Sequence, residues 1–193
     1  PNYSVMDRED QKKISNAIKI SFVGDLILLR DAVEYGYNAS NGQYDYSDVF
    51  SYVQKYLQND DLTIGVLEGP LAGADKKWST SDFYDCGKVP LYLNFPDEFA
   101  RAIKEAGIDF VTTANNHLLD QGEDGALRTL DVLDRIGLDH TGSYRSQDEY
   151  GALKLIEVKG KRLAIMSYTY GSNYYSDDYF FNEKTKFLTR PCV

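Results

Sequence analysis

Residues 108–117 read IDFVTTANNH, a short apolar, β-leaning run that breaks off into two amides and an imidazole. Two stretches upstream follow the same pattern. Residues 17–23 read AIKISFV, a run that stops at Gly24 and Asp25, and residues 62–67 read LTIGVL and run directly into Glu68, with the turn pair Gly69 and Pro70 behind it. Helical spacing fills the gaps. From Asp45 the stretch DYSDVFSYVQKYLQND sets Val49, Phe50, Val53 and Leu57 on one face, with Asp45 or Ser47 able to cap it. A second helix is expected from Pro96, with Phe99, Ala102, Ile103 and Ala106 on its apolar face and Gly107 closing it in the left-handed conformation. A third spans Glu123 to Ile136 and is closed by Gly137. Strand and helix alternating three times predict an α/β fold, and right-handed crossovers make the strands parallel. The carboxyl ends of such strands share one edge of the sheet. Asp25, Glu68 and the Asn115–His117 turn are therefore expected to converge. Lys154–Val158 and Arg162–Tyr168 flank Lys159 and Gly160 and predict a hairpin with a tight turn.

At 193 residues the chain is long enough for one domain with its own core. Hydrophobic residues make 42% and charged residues 26%, which excludes disorder, collagen-like repeats and coiled coil. Thirty acidic against 21 basic side chains leave a net charge of −9, a sign that repels a phosphate backbone and argues against nucleic-acid binding. No apolar run approaches the ~20 residues of a membrane helix. Residues 1–16 read as a polar leader and 17–193 as a single domain. Cys86 and Cys192 are too few for a disulfide framework and read as ordinary thiols. The chain opens on Pro1 with no signal pattern, so any membrane anchor is expected upstream of it. Residues 71–95 form a long irregular excursion that holds the single tryptophan, Trp78, and such excursions often carry function.

Two carboxylates, an amide oxygen and an imidazole along one strand edge suit a divalent cation. Oxygen donors favour Mn, Mg or Fe, and His117 adds either a ligand or a proton donor. Taken singly, Asp25 reads as a cap after a strand, Glu68 as a solvent-facing acid, Asn116 as an Asn turn and His117 as a satisfied loop histidine. Three strand ends with the same chemistry favour a site. His140 in the LDHTG segment reads as a structural residue of a short strand. Tyr168, Tyr170, Tyr174, Tyr175 and Tyr179 read as strand-edge residues ahead of a polymer-stacking platform.

The strings FVGDLILLR (22–30), VLEGPL (66–71), NFP (94–96) and TTANNHLLDQGEDGALRTLDVLDRIGLDHTG (112–142) resemble the CapA (PgsA) family of bacterial capsule and poly-γ-glutamate synthesis proteins. The resemblance runs from about Ile18 to Tyr170 and implies a calcineurin-like metallophosphatase fold, a β-sandwich flanked by helices with metals at the strand ends. By motif, Asp25 would bind one metal, Glu68 would bridge, Asn116 would bind a second, and His117 would be the catalytic proton donor or a substrate-binding histidine. Asn115 and Arg30 lie in the same motifs as candidate substrate contacts, Arg30 through the fork its guanidinium offers an anion. Asp120 is expected to orient His117 or to cap the following helix.

The sequence also departs from the wider superfamily. Ile27 stands where that superfamily has a histidine, the bridging carboxylate is a glutamate, and His117 and His140 are the two histidines of the chain. The domain is therefore expected to be an amino-terminal piece, incomplete at its C-terminus, with its Mn, Fe or Mg absent or partial. The implied function is extracytoplasmic capsule or poly-γ-glutamate biosynthesis. The protein would handle an anionic polymer, poly-γ-glutamate or capsular polysaccharide, or a phosphoryl-linked precursor, beside other capsule-synthesis proteins at the membrane. A non-catalytic polymer-binding or export factor is the alternative, and a phosphodiesterase unrelated to capsule would use the same residues.

Overall fold

The run LTIGVL becomes the best-buried strand among the described residues, and the rest of the architecture is arranged around it. The computed structural model describes residues 16–80, 91–173 and 186–190. In chain order the elements are β1 (Ile20–Leu26), α1 (Arg30–Tyr35), β2 (Tyr37–Asn38), β3 (Gln43–Tyr44), α2 (Gln54–Leu57), β4 (Leu62–Leu67), α3 (Asp97–Glu105), β5 (Phe110–Thr112), α4 (Gly122–Ile136), β6 (Asp139–Thr141), α5 (Gln147–Gly151), β7 (Lys154–Val158) and β8 (Lys161–Ile165). Four strands pair in parallel in the order β1-β4-β5-β6, so the α/β class and the parallel sheet are as expected.

Burial explains the strand sequences. β4 is covered on both faces and so reads as a continuous apolar run. Leu67 and Val111 pack against Phe99, Ile103, Val132 and Leu133 in the main core, on the face covered by α3 and α4. Leu62, Ile64 and Phe110 form the opposite face and meet Val158, Ile156, Leu163 and Ile165 of the β7–β8 hairpin. Lys159 (φ 47°) and Gly160 (φ 71°) are both left-handed, the turn geometry that suits a two-residue hairpin. The tip is tied down by the Lys159 ammonium, 2.7 Å from Asp61 and 3.1 Å from the Ala17 carbonyl.

Three expectations need correction. β1 does not stop before Gly24 but runs through Asp25 to Leu26, because an irregularity in its register with β4 between Phe22 and Asp25 lets the strand resume pairing. The helix expected from Asp45 is mostly a chain of tight turns, with Val49, Ser51 and Val53 donating to the carbonyls three residues back and only Gln54–Leu57 helical. Asp45 accepts from the Ser47 amide at 2.9 Å, and the buried Tyr46 pins the start of the segment to the core. Asp, Ser, Tyr and Val then contribute too little helix propensity to override those anchors. The second hairpin strand ends at Ile165 rather than Tyr168. Cys86, Cys192, Tyr174, Tyr175 and Tyr179 lie outside the described residues. No helix among the described residues is long and apolar enough to cross a membrane.

Candidate functional site

Backbone and amide hydrogen bonds stitch the strand ends together. The Glu68 amide donates to the Leu26 carbonyl at 3.2 Å, which joins the ends of β1 and β4. The Asn115 side-chain amide donates to the Leu67 carbonyl at 2.8 Å and to Thr113 at 3.2 Å, while its oxygen accepts from the His117 amide at 2.9 Å. Thr113 in turn donates from its backbone to Thr141 at 2.9 Å. These contacts fix the turn after β5 as a rigid platform. His117 is held on it, buried, with Nδ1 2.7 Å from Asp120 Oδ2. The same carboxylate oxygen accepts the Leu93 amide at 2.7 Å. An ionised Asp120 at this distance assigns the Nδ1 proton to the ring, so Nε2 is the atom left for chemistry, and it meets the Asn173 side-chain amide at 3.3 Å.

Electrostatics bring a second pair of acids into the same neighbourhood. The Glu68 carboxyl is pushed up to about 7, first by burial, then by the hydrogen bond it donates to Asp25 and by the charge of Asp25, and further by Asp120, while His117 opposes the rise. A neighbouring negative charge disfavours the ionised form of Glu68, and the bond to Asp25 favours the protonated one. Burial also raises the Asp120 carboxyl, against the pull of its His117 hydrogen bond and the Leu93 amide. Its Oδ1 is buried with no hydrogen-bond partner among the described residues.

Asp25, Glu68, His117 and Asp120 thus share one electrostatic neighbourhood at the carboxyl edge of the sheet. Asp120 takes the orienting geometry and not the capping one, since α4 is preceded by Gln121 and shows no side-chain cap. Asn116 is half-buried on the same turn, and its carbonyl accepts the Asn173 amide at 3.1 Å. Asn115, expected as a substrate contact, is buried with its side-chain amide donating to backbone carbonyls. Arg30 is absent from the groups that act on Glu68; it lies 3.7 Å from Asp31 and lines a separate cavity with Tyr44 and Trp78. His140 pairs through Nε2 with Asp134 at 3.1 Å. Among the described residues, no three of His, Cys, Asp and Glu are grouped so as to hold a metal ion.

Two participants escaped sequence reasoning. Asn173 faces Nε2 of His117, yet it sits in an aromatic, polar tail that carries no periodic signal. Leu93 acts through its backbone amide, and a backbone donor leaves no trace in side-chain chemistry.

Comparison with known proteins gives the context. Residues 19–190 match the profile of the family described as "Bacterial capsule synthesis protein PGA_cap". The chain is 28% identical over 165 residues to the capsule biosynthesis protein CapA of Bacillus anthracis, covering 86% of this chain and 36% of that protein. It is 24% identical over 155 residues to the PGA biosynthesis protein CapA of Bacillus subtilis, covering 80% of this chain and 38% of that one. An uncharacterized protein of Sinorhizobium fredii, y4sH, is 28% identical over 145 residues, 75% of this chain and 29% of its own length. The chain therefore spans little more than a third of the length of its Bacillus relatives. With a profile match that runs almost from end to end of the described residues, the chain belongs to the bacterial capsule synthesis family PGA_cap.

Proposed function

We propose that the chain carries the acid-and-histidine half of a hydrolytic site that acts on a capsule polymer or its phosphoryl-linked precursor, outside the cytoplasm. The fold of this reading is metallophosphatase-like, and a parallel sheet with the candidate groups along its carboxyl edge supports it. The observation that carries it is the buried His117–Asp120 pair, with Nδ1 2.7 Å from the carboxylate, beside a Glu68 carboxyl that burial and then Asp25 push up to about 7. Such perturbed groups, gathered by separate elements, are characteristic of working sites.

The donor set fits a divalent cation. Glu68 keeps its proton beside Asp25, where a cation would relieve the repulsion, and Asn116 on the turn after β5 offers an amide oxygen. Asp25, Glu68 and Asn116 would hold Mn, Fe or Mg, which when bound supplies a Lewis acid and lowers the pKa of water. His117, with Nδ1 held by Asp120, would present Nε2 toward a leaving group, and Asn115 keeps the turn rigid beneath it. The names of the relatives support a poly-γ-glutamate or other capsular polymer as the thing handled, with further capsule-synthesis proteins as neighbours at the cell surface.

The test is made on the whole protein that carries this chain, purified without chelator. Metal content is measured beside turnover of bis-p-nitrophenyl phosphate and of poly-γ-glutamate, for wild type and His117→Gln. The expected result is bound metal in both and turnover reduced by about 100-fold or more in the variant. Loss of metal with His117→Gln would make the histidine a ligand. Polymer binding without turnover of either substrate would replace hydrolysis with the binding and export role.

A further inference from the structure

Two cavities meet at one aromatic wall, away from the carboxylate pair. The larger, about 360 Å³, is lined by Arg30, Glu34, Tyr37, Tyr44, Trp78 and Ser79 among others. The smaller, about 280 Å³, lies across the same Tyr44 and Trp78 and is bounded by Asp97, Glu98 and Arg128. Tyr44 and Trp78 meet edge to face with centroids 5.4 Å apart, and Tyr37 leans on Tyr44 at 5.2 Å.

These rings are held in place before any ligand arrives. Tyr44 stacks 6.3 Å from the buried Tyr46, whose hydroxyl donates to the Val33 carbonyl at 3.0 Å. Trp78 is fixed by its neighbour Ser79, which exchanges hydrogen bonds with the Asn94 backbone at 3.0 to 3.2 Å. A preorganised aromatic surface loses little entropy on binding. Tyr37, by contrast, is half exposed and offers its ring to the larger cavity.

The charge of the walls selects among ligands. Arg128 is matched by a two-pronged contact with Asp97 at 2.8 and 3.1 Å, and Arg30 has Asp31 beside it. Glu34 and Glu98 then leave the groove without positive excess, in a chain of net charge −9. A polyanion gains nothing there. A neutral sugar ring gains on both counts: its apolar C–H face lies on an aromatic face, and its hydroxyls donate to carboxylates and hydroxyls at the rim. The larger cavity is also in the size range of small-ligand sites.

We propose that this pair of cavities is a saccharide-binding groove, holding adjacent neutral sugar rings of a polysaccharide across the ridge made by Tyr44 and Trp78. The groove is tied to the acid cluster through one segment of chain. Its Trp78–Thr80 wall is hydrogen-bonded to the 92–94 segment, including Thr80 to the Tyr92 carbonyl at 2.9 Å, and the Leu93 amide of that segment holds Asp120. The inference rests on other residues than the proposed hydrolytic site and is read by binding alone, so it stands or fails separately.

Trp78 is the single tryptophan of the chain, so its emission reports directly on the groove. The chain is titrated with maltose, cellobiose and N,N′-diacetylchitobiose, and separately with poly-γ-glutamate oligomers, at low and high salt. The expected result is a saturable change in emission with at least one disaccharide, indifferent to salt, and weakened about tenfold by Tyr37→Ala at an unchanged melting temperature. No saturable change with any of the three sugars on the wild type would overturn the proposal. A response confined to poly-γ-glutamate and abolished by salt or by Arg30→Gln would overturn it in favour of an anion site. Unaltered sugar affinity in a folded Tyr37→Ala would remove this cavity from the binding event.

Discussion

Glu68 is the residue at which stability and chemistry pull in opposite directions. Its carboxyl, ordinarily near 4.5, is pushed up to about 7 by burial and by Asp25. Between those two pH values the folded chain holds a proton that the unfolded chain has released, so stability falls as pH rises across that window. The side chain is only half-buried, and solvent screening brings the swing to about 1 kcal/mol. Urea unfolding of wild type and Glu68→Gln in excess chelator is expected to show the wild type losing about that much, relative to the variant, between pH 5 and pH 8. Parallel pH profiles would detach Glu68 from Asp25. Added Mn should narrow the difference at pH 8, since a cation takes over the neutralising role of the proton. The acid and the imidazole were legible in the sequence because they end apolar runs. Their partners Asn173 and the Leu93 amide were not, since each reaches the site by tertiary folding alone.

The helices show how short signals decide whole elements. α4 ends where Gly137 adopts φ 69°, and its last carbonyl, Ile136, also receives the Lys104 ammonium from α3 at 2.5 Å. A side chain at position 137 is strained by that φ, and a Cβ would additionally press on the movable Lys104 ammonium at 3.0 Å. Gly137→Ala is therefore expected to cost about 1 kcal/mol in the urea midpoint without altering the sheet. A variant as stable as wild type would show that α4 frays there already. Gly107 (φ 98°) closes the stretch after α3 in the same conformation, and both closures were readable from glycine position. The segment after Asp45 was misread for a reason of the same kind. Its apolar spacing is helical, but Tyr46 is anchored in the core and Asp45 clamps Ser47, so tertiary contacts and an Asp turn outweigh periodicity.

At the scale of the molecule, one sheet separates two unequal layers. The helical face carries the larger core, and the opposite face carries the hairpin, with Phe22 on β1 left 74% exposed. Native-state hydrogen exchange is expected to find the amides of β4 and β5 slowest and those of the edge strand β1 faster, because central strands are paired on both sides. Equal protection across all four strands would mean that the sheet opens only as a unit. The parallel class was legible from repetition of strand and helix. The placement of the hairpin on the second face was not, because an amphipathic pair of strands does not name the surface it will cover.

The strand order β1-β4-β5-β6 follows the order of synthesis in one direction across the sheet. A ribosome delivers each strand after the neighbour it must join, and no later segment has to be threaded between two strands already paired. Each crossover can dock as it emerges and shield the face of the strand before it, which shortens the time a half-made sheet spends exposed to aggregation. The same order places Asp25, Glu68 and His117 into the growing edge one after another, so the site is assembled in the sequence in which it is translated.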